Sequence, residues 1–138
     1  MAAANQSAVF HHPQSMSDVA KQELEDLAKW FKTAKVQAVM PNLSHCADPD
    51  SLKKMEPLLT ELGLYERVLE FPIQLSLSGR ETIAIDDGFN NIFIPLSDEL
   101  SICSHPLRPG QYIRSTSPQS LNAFADFVLV VVPAAKSQ

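Results

Sequence analysis

The chain has 138 residues and a net charge of −5, with 20% charged and 45% hydrophobic residues. That size suits one domain able to bury its own core without disulfide or metal support. The acidic balance, with no Lys/Arg cluster to offset it, argues against nucleic acid or an anionic membrane as a partner.

Two cysteines, Cys46 and Cys103, are too few for a disulfide scaffold, and the default expectation is a pair of reduced thiols. Residues 1–7 lack the basic and apolar regions of a signal peptide. The longest apolar run, 127–132, falls far short of the roughly 20 residues that span a bilayer. These features predict a soluble protein of the cytoplasm or of a macromolecular assembly. Four glycines against ten prolines indicate stiff loops rather than flexible linkers.

In chain order, residues 1–16 read as a polar N-terminal tail without periodicity. Ser17 is a good helix cap and Asp18 suits the positive end of a helix dipole. Leu24, Leu27, Ala28, Phe31 and Ala34 follow at helical spacing, so a helix is predicted over about 17–35. The segment 36–40, Val-Gln-Ala-Val-Met, fits either a helical extension or a strand, and Pro41 ends it. A second helix is predicted over about 49–62, with Asp48 as cap, Pro49 in the first turn and Gly63 as the stop. Pro57 in its interior predicts a kink or a split into two pieces.

From residue 67 the hydrophobic period changes from 3.6 to 2. Phe71, Ile73, Leu75 and Leu77 predict a strand, and Ser78-Gly79-Arg80 a turn after it. Further strands are predicted at 82–85, 91–96, 100–103 and 112–114. Ser117-Pro118 reads as the start of a short helix reaching Asn122 or Phe124. Phe127 to Val132, apolar on both faces, predicts a deeply buried strand. Residues 134–138 read as a second tail. The expected fold is an α+β domain over 17–133. Its helices, about 17–35 and 49–62, pack on a mostly antiparallel C-terminal sheet of five or six strands, about 68–132.

Few residues gather into a chemical pattern. His45, Cys46, Cys103 and His105 together offer the ligand types of a structural zinc site. Their spacing is wrong for zinc knuckles, because adjacent side chains on extended backbone point to opposite faces. No glycine-rich turn or oxyanion donor supports a Cys/His nucleophile. His11-His12, Asp48-Pro49-Asp50 and Asp86-Asp87 match no metal loop. The polar stretch 108–120 holds Arg108, Tyr112 and Arg114, residue types favoured at binding hot spots. Trp30 joins these as a binding candidate. Phosphate-binding glycine loops are missing, and no cofactor is implied.

The leading expectation is therefore a non-enzymatic structural or interaction protein. It would be a small subunit docking on a larger assembly, such as a virion or an oligomeric shell, through protein partners or self-association. The alternative is a small intracellular ligand-binding or regulatory domain, with its pocket between helices and sheet near Trp30, Phe31 and Tyr112. A Cys/His-dependent enzyme ranks third.

Overall fold

The computed structural model describes residues 13–64, 71–84, 88–102, 105–116 and 118–133. Among these lie nine strands and two helices. The strands are β1 (Gln14–Ser15), β2 (Val36–Met40), β3 (Leu43–Cys46), β4 (Phe71–Ile83), β5 (Phe89–Pro95), β6 (Leu100–Ile102), β7 (His105–Leu107), β8 (Gln111–Ser115) and β9 (Gln119–Pro133). The helices are α1 (Asp18–Phe31) and α2 (Ser51–Glu61).

The expected α+β fold is overturned. The chain is mostly antiparallel sheet, 52% strand against 23% helix, and the strands are not confined to its back half. Three of them, β1, β2 and β3, precede residue 47. The principal sheet runs β1-β8-β5-β9-β4-β3-β2, and β6 pairs with both β7 and β9.

Two strands depart from expectation because their local turn and cap chemistry points elsewhere. Ser78-Gly79-Arg80 does not turn the chain: β4 passes straight through it, paired residue for residue with β9 from Phe71↔Val131 to Ile83↔Gln119. Ser117, the expected helix cap, lies outside the described residues, and the helix expected to reach Asn122 or Phe124 is replaced by strand, because residues from Gln119 onward join that ladder. Cross-strand pairing over so long a ribbon outweighs the local propensities.

The helices also differ in extent. α1 starts after Ser17, whose side chain accepts from the Ala20 N–H at 3.2 Å. α2 is capped at Asp50 without a side-chain bond, while Asp48 Oδ1 accepts from the Asp50 N–H at 2.9 Å. It continues as one helix through Pro57. The segment before α1 is anchored: Gln14 and Ser15 pair with Tyr112 and Gln111, and Met16 is buried.

The long β4–β9 ribbon divides two apolar layers. One layer holds Val128, Val130 and Val132 with Ile92 and Ile94, covered by Leu24, Leu27 and Phe31 of α1 and Met55, Leu58 and Leu59 of α2. The other holds Leu75, Leu77, Phe93, Ile113, Leu121, Phe127 and Leu129, closed by Leu100, Ile102 and Leu107 from β6 and β7. Phe93 and Phe127 lie at its centre, both fully buried, with ring centroids 6.2 Å apart. A tilted pair of this kind adds about 0.5–1.5 kcal/mol beyond its burial.

The ribbon is strongly curved. Asn91 sits opposite Val131, which sits opposite Phe71 at the start of β4. Yet the Asn91 amide donates to the carbonyl of Ala84, just past the end of β4. Only a ribbon that coils back on itself brings both ends to Asn91.

Candidate functional site

The free edges of the sheet are treated unequally. β1 is two residues long. β7 is three residues long and contains Pro106, which lacks a ladder donor. β2 is five residues long, ends the sheet, and is exposed at every position. It contains no charged residue, and Val36, Val39 and Met40 are 50%, 52% and 43% exposed. Edge strands are normally blunted by shortness, charge or proline, because their unpaired N–H and C=O groups template pairing with another chain. Within β2 the only such device is a bulge between Ala38 and Met40; Lys35 and Pro41 stand just outside it.

β2 is held rigidly in place. It pairs with β3 through Val36↔Cys46, Gln37↔His45 and Ala38↔Ser44, and the Ala47 N–H donates to the Lys35 carbonyl at 2.7 Å. The turn between the two strands is fastened to β4 by Asn42. Its N–H donates to Glu81 Oε2 at 3.0 Å, its side-chain amide donates to the Arg80 carbonyl at 3.2 Å, and its carbonyl accepts from the Ser78 N–H at 2.8 Å. Gly79 makes this clamp possible. Its φ is +149°, and a Cβ there would lie 2.9 Å from Asn42 Cγ. Residue types alone do not mark β2 as a site, because Val-Gln-Ala-Val-Met fits a helix and a strand equally well. Its edge position follows only from β3 pairing with β4, about 30 residues away.

The predicted binding residues do not converge. Arg108 lies in the turn before β8, where its Nε donates to Glu99 Oε2 at 3.2 Å; with the two side chains 75% and 52% exposed, the pair contributes little. Tyr112 packs against the helix-side core, and its hydroxyl donates to Gln14 Oε1 at 3.2 Å. Arg114 is half-buried on β8, and its Nε donates to Asn90 Oδ1 at 3.1 Å with the Asn90 amide turned to face it. Trp30 lies apart from these three, in a cleft of about 480 Å³ between the two helices. Glu23, Asp26, Asp50, Lys53, Lys54 and Pro57 share that cleft, and Lys54 Nζ stands 5.9 Å over the Trp30 ring. The cleft therefore opens between the helices rather than between helices and sheet, and Phe31 lies in the core beneath.

The metal candidates are also dispersed. Cys46 packs against the helix-side core, whereas its neighbour His45 stands opposite Leu75, whose side chain belongs to the other layer. His105 is exposed on β7, and Cys103 lies outside the described residues. No group of three His, Cys, Asp or Glu able to hold a metal ion occurs among the described residues. No helix among them is long and apolar enough to cross a membrane.

No protein-family model matches the chain, and no curated relative matches it. Among solved structures, the chain is similar to a Streptomyces PAC13 variant with uridine. The two are 12% identical, the match covers 78% of this chain and 82% of that one, and the TM-score is 0.45. A likeness of that size assigns no function.

Proposed function

We propose that this protein is a non-enzymatic interaction subunit that docks on a protein partner by pairing through the outer edge of β2. The supporting observation is the edge itself: five exposed, uncharged residues whose outer backbone row has no ladder partner among the described residues, while β1 and β7 are only two and three residues long and β7 contains a proline. Strand addition draws affinity from main-chain hydrogen bonds and specificity from alternate side chains, here Val36 and Ala38 on one face with Gln37 on the other. The clamp from Asn42 to Glu81 and Arg80 holds the edge in place before binding, which lowers the ordering cost.

A photoreactive side chain at Gln37 tests this in the native cellular setting. The docking reading expects a discrete protein adduct from Gln37 that disappears with Ala38→Pro, and no such adduct from Arg108. An adduct from Arg108 but none from Gln37 would place docking elsewhere.

The inter-helix cleft supports a second reading, a small ligand-binding domain. Its volume lies within the range of small-molecule pockets. Trp30 is the only tryptophan, so its fluorescence reports directly on occupancy. A saturable change in that signal with a small molecule, lost in Lys54→Ala, favours this reading; a flat response across a diverse set disfavours it.

A further inference from the structure

We propose that the inter-helix cleft binds a free α-amino acid with an apolar side chain; this deepens, and rests on, the ligand-binding reading of that cleft. Three features carry it.

The first is the layout of charge. Glu23, Asp26 and Trp30 follow one another on α1 at spacings of three and four residues, so they share one face of that helix. They form one wall of the cleft. Lys53 and Lys54 stand in the other wall, one turn after Asp50 at the cap of α2. The α1 wall thus offers two carboxylates and no ammonium, while the α2 wall offers two ammoniums and one carboxylate. A small molecule that is positive at one end and negative at the other meets a complement on each side.

The second is that the two walls do not neutralise each other. Among the described residues, none of these five charged groups joins an ion pair. Asp26 accepts from the Gln22 amide of its own helix at 3.2 Å, which engages only one of its oxygens. The opposite charges therefore face a gap rather than each other.

The third is the surface between them. Trp30 is half-buried, and buried Leu27 also lines the cleft, so an apolar strip runs between the charged walls. Lys54 Nζ stands 5.9 Å over the indole ring, a contact that is weak at an exposed site. The ligand's carboxylate draws that ammonium off the ring, and its apolar side chain takes the place over the indole. Its α-ammonium then lies toward Glu23 and Asp26. The volume, about 480 Å³, falls in the lower half of the range for small-molecule sites, as suits an amino acid. Lys53, Lys54, Asp26 and Asp50 are exposed, so the binding is weak and falls as salt rises.

Titration of the full chain with L-leucine, L-methionine and L-phenylalanine tests this, read by Trp30 fluorescence and by calorimetry. At least one of the three binds saturably below about 10 mM. The matching amine without the carboxylate, and the matching acid without the ammonium, bind at least about tenfold more weakly. Glu23→Gln combined with Asp26→Asn brings the amino acid down to the level of the matching acid. Lys54→Ala brings it down to the level of the matching amine. Circular dichroism confirms that each variant stays folded, as expected at positions outside the core.

A saturable response to a different small molecule, lost in Lys54→Ala, with none to the three amino acids, overturns this assignment and leaves the ligand-binding reading standing. An amine or acid that binds as tightly as the amino acid does the same, as does binding indifferent to the Glu23 and Asp26 substitutions. A flat response to every compound overturns both.

Discussion

Asn91 and Ala84 are joined by a 3.1 Å hydrogen bond from side-chain amide to main-chain carbonyl, although the ladder sets Asn91 across Val131 from Phe71, at the opposite end of β4. That bond records the coil of the sheet. The thirteen residues of β4 curve so far that Ala84, just past their end, reaches Asn91, two strands across from Phe71. Asn91 is 2% exposed, and it closes the curved sheet with a polar contact rather than an apolar one. Gln119 does likewise nearby, donating to Ser115 Oγ at 2.7 Å.

Asn91→Ala removes this closing bond and leaves a small void. Urea unfolding is expected to show a loss of about 1–3 kcal/mol. A variant as stable as the parent would mean that the bond does not hold the curvature.

Gly79→Ala forces a positive φ on a residue with a Cβ and drives that atom into the Asn42 amide. The expected cost is about 1–3 kcal/mol, by thermal or urea unfolding. Asn42→Ala removes the clash together with the side-chain bond to the Arg80 carbonyl, and leaves the two main-chain bonds of the clamp in place. The double variant should therefore cost less than the sum of the singles. Strict additivity would show that Gly79 and Asn42 do not share one contact.

Gln74 is the buried polar residue with the weakest polar accounting. It is 1% exposed under α2; its amide nitrogen reaches Ser51 O and Oγ at 3.5 and 3.3 Å, and its Oε1 has no partner among the described residues. Gln74→Met keeps the shape and removes the orphaned oxygen. Stability should be unchanged or rise by up to about 1 kcal/mol, because half-exposed Ser51 can turn to water. A clear loss would reveal a partner for Oε1, such as a buried water.

Ser17→Ala deletes the cap of α1. The expected loss is about 1 kcal/mol, read as a lower urea midpoint at unchanged slope. An unaltered midpoint would show that Met16 and β1 fix the start of the helix without it.

Local signals are legible in the sequence where they stand alone. The cap at Ser17, the stripe from Leu24 to Phe31 and the apolar run at Phe127 each lie in elements of the kind their periodicity implies. The architecture is not legible, because it depends on partners distant in sequence. Gly79 carries turn chemistry, yet it serves as the place where Asn42 approaches a continuous strand. Ser117-Pro118 carries helix-start chemistry, yet the following residues pair with β4 from Ile83 backward. For the candidate site, Arg108, Tyr112, Arg114 and Trp30 stand out by residue type, which says nothing about convergence. The β2 edge has no distinctive residue type at all; its exposure is a property of sheet order.

The most direct test of the docking account is amide hydrogen exchange across the chain, compared between the dilute purified protein and its assembled state. The account predicts that protection rises on assembly at Val36–Met40, while the exposed surface around Phe124 exchanges alike in both states. Unchanged exchange in β2, with new protection elsewhere on the surface, would contradict it.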